Sequence, residues 1–183
     1  AILQAYPARV HRKAFKYRLY PNKEQKLLLD KHLSICRAIY NIMLHQAQEA
    51  YEAFREGKST IKLGVSAFDF NRRLTELKRL PEYSWLNDIS AVALQQKLAD
   101  LAAAFTGFFR RLLKEPTKKP GYPRYKKKVG YCSYRLAGSA FSVKEHNFKP
   151  ALFSTPIKVM WSQWLPSAPS QCTISRTPSG QYC

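Results

Sequence analysis

The segment with the clearest chemical capacity is Gly121–Lys128, in which two tyrosines alternate with four cations on a loop stiffened by prolines. Arg and Lys side chains neutralise phosphates, and the release of counterions then drives affinity for nucleic acid. The tyrosine rings can stack on unpaired bases, a contact that contributes about 1–3 kcal/mol per base. The alternative is a solvated charge run whose tyrosines pack on an adjacent domain. The candidate nucleic-acid contacts here are Tyr122, Arg124, Tyr125, Lys126, Lys127 and Lys128.

A second basic segment lies near the start of the chain, where apolar and basic residues alternate through residues 14–20. This period of two predicts a half-buried strand. Its candidate contacts are Lys13, Lys16 and Arg18. Because we expect this strand to lie in the same β domain as the run at 121–128, the two segments together favour binding over a solvated face.

The charge of the whole chain is unevenly distributed. The 183 residues carry a net charge of +19, from 31 Lys+Arg and 12 Asp+Glu. Residues 1–23 carry +6, residues 24–115 carry +3, and residues 116–183 carry +10. A surface that only keeps a protein in solution mixes both signs throughout. The two basic flanks therefore predict a polyanionic partner.

The sequence argues against a membrane protein and against catalysis within this chain. No apolar run approaches the roughly 20 residues of a membrane-spanning helix, and no signal peptide is recognisable. We therefore expect a cytoplasmic protein with no membrane partner. The histidines, cysteines and acids show no metal-ligand spacing, and no Gly-rich phosphate loop occurs. We predict no catalytic residue, metal site or cofactor in this chain.

Three helices are predicted between the two basic flanks. Asn22 and Gln25 resemble a capping box, which begins an amphipathic helix that extends to Gly57. Ser66 and Asp69 form a second cap signal before a shorter helix that Pro81 ends. A third helix is predicted over residues 88–114. Their apolar stripes indicate a helical bundle.

After residue 116 the pattern becomes typical of short strands. Such runs occur at residues 131–136, 141–143, 157–161 and 172–175, separated by Gly, Pro and Ser. The predicted fold is therefore α+β: a small β-barrel whose first strand pairs with later strands, interrupted by the helices. The predicted divisions are residues 1–21 and 116–183 for the β domain and 22–115 for the helical insert. Residues 177–180 read as a hairpin turn, and the start of a return strand at 181–183 predicts that more polypeptide follows.

Six stretches, in this order, resemble the TnpB family of transposon-encoded nucleases related to type V CRISPR effectors. Each stretch alone is weak, but the ordered set is specific and spans the chain from Lys13 onwards. The stretches are Lys13–Asn22, Cys36–Asn41, Ser84–Leu86, Ala93–Gln95, Phe108–Arg110 and Gly121–Lys126.

This resemblance implies a wedge domain, an oligonucleotide-binding-like barrel, interrupted by a helical recognition lobe. It implies two partners, a transposon-derived guide RNA and a double-stranded DNA target. Gln95 matches a glutamine that reads the target-adjacent DNA motif. Tyr134 and Arg135 match a wedge stretch near nucleic-acid contacts, although the Leu-Ala-Gly-Ser that follows departs from the commoner sequence.

The resemblance also implies that the nuclease lies elsewhere. In this family the Mg²⁺-binding acids and a zinc ribbon lie carboxy-terminal to the wedge domain, and nothing here matches them, so Mg²⁺ and Zn²⁺ are expected only in such a following half. The resemblance therefore implies that this chain is the RNA- and DNA-binding amino-terminal half of a longer RNA-guided DNA endonuclease, which holds guide RNA and reads a short target-adjacent DNA motif. Two alternatives remain: a nuclease-lacking relative that acts as a nucleic-acid-binding regulator, and a helix-turn-helix DNA-binding protein that uses residues 22–114 without RNA.

Overall fold

The chain has an α+β fold, in which three helices are inserted between a first strand and five later strands. A computed structural model describes residues 14–58, 64–114, 121–128, 130, 132–160 and 169–183. The elements are β1 Arg18–Tyr20, α1 Lys23–Arg55, α2 Ala67–Leu77, a 3-10 helix Pro81–Asp88, α3 Ala91–Lys114, β2 Cys132–Ala137, a 3-10 helix Gly138–Ala140, β3 Phe141–Lys144, β4 Asn147–Pro150, β5 Ile157–Met160 and β6 Gln171–Arg176.

Both predicted capping boxes are confirmed. At the start of α1, the Asn22 side chain accepts a hydrogen bond from the Gln25 N–H at 2.8 Å, and the Gln25 side chain accepts from the Asn22 N–H at 3.0 Å. Ser66 and Asp69 make the same reciprocal pair at the start of α2. These bonds satisfy backbone donors that a helix leaves unpaired at its first turn. The third helix begins at Ala91 rather than near Asp88, because residues 81–88 form the 3-10 helix.

The three helices bury their apolar stripes against one another and against the strands. The predicted stripes are confirmed along most of their length, but their distal ends are exposed. Tyr51 and Phe54 on α1 and Leu112 on α3 lie at the surface, because the bundle has no further layer there. The buried members are Leu29, Leu33, Cys36, Tyr40, Met43 and Ala47 on α1, Phe70, Leu74 and Leu77 on α2, and Leu94, Leu98, Leu101 and Phe105 on α3.

The first strand pairs with a late strand, as predicted. Leu19 of β1 lies opposite Val159 of β5 in an antiparallel ladder. The four-stranded sheet has the order β1-β5-β4-β3, and β2 pairs with β6 in a second, two-stranded sheet. The sequence pattern missed β4, a four-residue strand that pairs with β3 and β5. The helices are thus an insertion between paired strands, while the domain boundaries stay a prediction.

The two sheets are joined by Tyr182. This residue follows the predicted turn at 177–180 and forms isolated bridges to Arg176 of β6 and to Leu19 of β1. Its hydroxyl donates to Asp30 of α1 at 2.7 Å, which ties the junction to the helices. Among the described residues β2 and β3 do not pair, so the predicted barrel differs from the observed arrangement, in which the strands do not close.

The helices and strands share one core at the contact of α1 and α3 with β2. Tyr134 of β2 is buried against His32, with the ring centroids 5.9 Å apart. Beside it, Arg135 pairs with Asp100 of α3 at 2.5 Å. The strands and helices therefore form one packed unit around this contact. None of the helices in the described part of the chain has the length and apolarity needed to span a membrane.

Candidate nucleic-acid interface

The segment at residues 121–128, here called the basic loop, lies along α1 and is held there by Asn41. The Asn41 side chain donates to the Lys126 carbonyl at 3.0 Å and accepts from the Lys126 N–H at 2.8 Å. One amide thus satisfies both backbone groups of a residue 85 positions away. Two of the sequence stretches that carry the family resemblance, Cys36–Asn41 and Gly121–Lys126, are therefore in direct contact.

Side-chain contacts hold the loop on both sides of this clamp. The Tyr125 hydroxyl donates to the Gln48 side chain and lies 3.3 Å from Nδ1 of His45. The Lys126 ammonium lies 5.1 Å from the centroid of the Tyr40 ring, within the range of a cation–π contact. These contacts fix the loop without using the charges of Arg124, Lys127 or Lys128. The Tyr125 ring remains about half exposed.

Tyr122 has a different environment from Tyr125. Its ring makes edge contacts with Phe105 and Phe108 of α3, at centroid distances of 5.6 and 5.2 Å. Desolvation raises the pKa of the Tyr122 phenol, which stays neutral at physiological pH. The Arg111 guanidinium donates to the Gly121 carbonyl at 3.4 Å and holds the start of the loop on the same helix. The half-buried Tyr122 ring therefore anchors the basic loop to α3, and its stacking on unpaired bases stays a prediction.

Four of the predicted contacts form an exposed cationic surface. Arg124, Lys126, Lys127 and Lys128 are all exposed, and within the described residues no carboxylate pairs with them. Unpaired cations held on a fixed loop keep their full charge for an external anion. The geometry is suited to phosphate binding.

The predicted contacts of the first strand have different neighbours from those of the basic loop. Lys16 and Arg18 are exposed, and the Arg18 guanidinium lies 5.4 Å from the centroid of the Tyr20 ring. Lys16 lines a cavity of about 430 Å³ that also contacts β6. Lys13 lies outside the residues that the structure describes.

Tyr134 and Arg135 have little side-chain surface free for an external ligand, and their role as nucleic-acid contacts stays a prediction. Tyr134 is only 1% exposed, and its hydroxyl lies 3.5 Å from Nδ1 of His32, so its ring belongs to the core. Arg135 is half-buried and its charge is balanced by Asp100. Strand alternation accounts for the two environments, because Tyr134 lies on the buried face of β2, against His32 of α1, and Arg135 lies on the other face. We leave Tyr134 out of the interface proposed below.

Gln95 is exposed on α3, beside a buried Leu94. Its position, about a quarter-turn from the apolar stripe, leaves the side-chain amide free of the core. The Gln95 side chain is thus placed where it can contact an external ligand.

Sequence reasoning missed the cations that the fold brings to the basic loop. Arg37 of α1 and Lys97 of α3 line a cleft of about 230 Å³ with Lys126, Lys127 and Ser133. These residues are far apart in the chain, and no local pattern indicates that they meet. The described residues contain no group of three His, Cys, Asp or Glu side chains arranged to hold a metal ion.

Comparisons with known proteins give relatives over most of the chain. The family model HTH_OrfB_IS605, described as a helix-turn-helix domain, matches residues 11–57. Within that match the described residues form β1 and the single helix α1.

Two relatives bear names that state an activity. The chain is 32% identical over 174 residues to a protein of Streptomyces pristinaespiralis named "Putative RNA-guided DNA endonuclease", a match that covers 93% of this chain and 40% of that protein. It is 34% identical over 115 residues to "Putative RNA-guided DNA endonuclease InsQ" of Escherichia coli, covering 63% of this chain and 25% of that protein. The chain thus spans less than half the length of either relative.

A third relative is short. The chain is 26% identical over 118 residues to "Virulence protein VsdF" of Salmonella dublin. That match covers 64% of this chain and 95% of VsdF. Almost all of VsdF therefore lies within the shared region.

Proposed function

This chain corresponds to the amino-terminal portion of TnpB-family proteins, as its motifs predicted, and from that premise we propose that it is the RNA- and DNA-binding part of an RNA-guided DNA endonuclease. In this proposal the strands with their basic flanks are the wedge domain, and helices α1–α3 are the recognition lobe. The wedge domain holds a transposon-derived guide RNA, and the recognition lobe reads a short motif beside the target in double-stranded DNA. The complex acts in the bacterial or archaeal cytoplasm.

The observation that carries the proposal is the basic loop. Asn41 and Tyr40 hold its backbone and one lysine against α1, while the other three cations of the loop are exposed without a carboxylate partner in the described residues. A loop that is fixed before binding loses less conformational entropy when a polyanion docks on it. Phosphate contacts of this kind supply affinity and position, whereas base contacts supply sequence specificity.

The direct test is the nucleic acid that purifies with the protein. The purified 183-residue chain is expected to carry RNA that RNase removes and DNase leaves. The RNA-loaded chain is then expected to bind a duplex that contains the guide-complementary sequence more tightly than an unrelated duplex. An RNase-resistant, DNase-sensitive nucleic acid, with duplex binding that is the same with and without RNA, would contradict the guide-RNA proposal and favour a helix-turn-helix DNA binder.

The match to VsdF favours a second candidate, a nucleic-acid-binding regulator without nuclease activity, because almost all of that relative lies in the shared region. The mass of the protein expressed from its own gene separates the two candidates. A mass close to 21.1 kDa favours the regulator, and a mass about twice as large or more favours the endonuclease. With Mg²⁺ and guide RNA, the 183-residue chain alone is expected to bind target DNA without cutting it.

A further inference from the structure

A cleft next to the basic loop collects cations from three separate parts of the chain. Arg37 comes from α1, Lys97 from α3, and Lys126 and Lys127 from the basic loop, and together they line a space of about 230 Å³. Leu33, Cys132 and Ser133 complete its lining. The Asn41 clamp holds the loop on α1, and α3 packs against α1, so the cations converge as a consequence of the fold.

Little negative charge in the described residues opposes this convergence. Asp100 Oδ2 lies 3.4 Å from the Lys97 ammonium, but the other oxygen of the same carboxylate pairs with Arg135 at 2.5 Å. No carboxylate in the described part of the chain pairs with Arg37, Lys126 or Lys127. One acid that is shared with Arg135 cannot balance the four cations of the cleft, so the cleft has an excess of positive charge.

The cleft also has the chemistry of a single anion site. The side chain of Lys97 is only 11% exposed, so its ammonium is largely withdrawn from solvent and directed by its neighbours. Partial burial strengthens the attraction of such a cation for an anion, because water screens it less. The Ser133 hydroxyl offers a neutral donor beside the cations. A guanidinium, ammonium groups and a hydroxyl together suit the oxygens of a phosphate.

We propose that the cleft formed by Arg37, Lys97, Lys126, Lys127 and Ser133 binds one phosphodiester group of the nucleic-acid ligand. This proposal rests on the proposed function and adds a defined phosphate site to it. The exposed cations of the basic loop make screened contacts along the backbone, whereas the cleft fixes the register of one phosphate. Arg37 and Lys97 are therefore binding residues that lie outside the two basic flanks of the sequence.

Two double variants with the same loss of charge test the proposal. Arg37→Gln/Lys127→Gln removes two cations from the cleft, and Lys144→Gln/Lys149→Gln removes two exposed lysines from β3 and β4. All four side chains are at least partly exposed, so both variants are expected to fold, which thermal unfolding checks. Affinity for a single-stranded RNA and for a DNA duplex is measured at one fixed salt concentration.

The cleft variant is expected to bind at least about tenfold more weakly than the control variant, since the loss of even one charge-assisted hydrogen bond costs roughly a factor of ten. Loss confined to RNA assigns the phosphate to RNA, and loss confined to the duplex assigns it to DNA. Replacing single phosphates by neutral methylphosphonates is expected to reveal one position that weakens wild type and leaves the cleft variant unchanged. Equal losses of affinity in the two double variants would contradict the phosphate site in the cleft and leave the proposed function standing. A wild-type chain that binds neither RNA nor DNA would overturn the proposed function and the cleft with it.

Discussion

Gln95 has the most specific proposed role, the recognition of one DNA base by one side-chain amide. Its exposed amide offers one donor and one acceptor, which match N7 and N6 of adenine in the major groove. Replacing Gln95 by Ala is expected to cost about 1–3 kcal/mol on DNA with the matching motif, and much less on DNA with that base changed. Affinities of both proteins for both duplexes, at one salt concentration, measure this difference.

The adjacent Gln96 supplies the control for that experiment. Gln96→Ala removes the same chemical group about 100° further around α3. This change is expected to weaken binding to both duplexes equally or not at all. If Gln95→Ala also weakens both duplexes equally, Gln95 positions the helix and does not read a base.

His32 makes the stability of the core depend on pH. Its Nε2 lies 3.1 Å from the Asp88 carbonyl, and its ring packs against Tyr134 and Phe153. Burial is the largest influence and lowers the His32 pKa below its ordinary value of 6.5, assisted by Lys31 and opposed by Asp88. The unfolded chain therefore binds a proton more readily than the folded chain. Stability from this group is present above pH 6.5 and is lost as the pH falls.

The free energy of unfolding is therefore expected to decrease between pH 7.5 and pH 5.5. His32→Gln removes the titrating group while retaining a donor for the Asp88 carbonyl, so its stability is expected to be lower at pH 7.5 and to depend less on pH. Urea unfolding at several pH values measures both slopes. Equal pH dependence of the two proteins would show that His32 is not the responsible group.

At the scale of elements, the start of α1 is more tightly held than the start of α2. Gln25 is 6% exposed, and its Nε2 donates to the Thr155 hydroxyl and the Pro156 carbonyl, each at 3.0 Å. Its side chain thus links α1 to the segment between β4 and β5, whereas Ser66 only caps its own helix.

Replacing Gln25 by Ala is expected to reduce the free energy of unfolding by about 2–3 kcal/mol, since several buried hydrogen bonds are lost together. Ser66→Ala is the matched change at the other cap, with an expected cost of about 1 kcal/mol. Chemical denaturation of both variants gives the comparison. A Gln25→Ala cost no larger than that of Ser66→Ala would contradict the role of Gln25 as a link between helix and sheet.

The sequence predicted correctly those elements whose ends are marked by local signals such as caps and prolines. Asn22, Ser66 and Pro81 mark helix ends by chemistry within a few residues, so the predicted helix ends lie close to the observed ones. The strand β4 was missed because Asn147–Pro150 has only four residues, with one large apolar side chain, and ends in proline. The open sheet and the bridge from Tyr182 to Leu19 depend on distant pairings that no local pattern encodes.

The candidate interface also contains residues that local sequence identifies and residues that only the fold brings together. Composition and spacing identified the basic loop, because its cations and tyrosines are contiguous. Arg37 and Lys97 lie on different helices, outside any basic cluster of the sequence, and they join the cleft only when α1 and α3 pack. The resemblance made Tyr134 a candidate nucleic-acid contact, while its burial follows from the face of β2 that packs against His32 of α1.

At the scale of the whole molecule, the charge sorting predicts how binding responds to salt. Replacing Arg124, Lys126, Lys127 and Lys128 together by Ala is expected to flatten the dependence of log affinity for single-stranded RNA on log salt. Each lost phosphate contact reduces the slope by roughly 0.7. Titrations at several salt concentrations measure the two slopes.

A variant with the same loss of charge elsewhere makes this comparison specific. Its four replaced lysines are exposed and lie outside the basic loop. Its slope is expected to stay closer to that of wild type, and a slope as flat as that of the loop variant would mean that only the net charge matters. The replaced residues are Lys23, Lys144, Lys149 and Lys158.

The bridge formed by Tyr182 has a consequence for the order in which the chain folds. Tyr182 contacts Asp30 across 152 positions of sequence and joins β1 to β6, while β1 is the first described strand. The helices contain local contacts and can form early, but β1 must wait for partners that are synthesised much later. During synthesis, the basic first strand is therefore exposed beside a finished helical bundle until the last strands arrive. An RNA that binds this strand before then would compete with the pairing of β1 and β5.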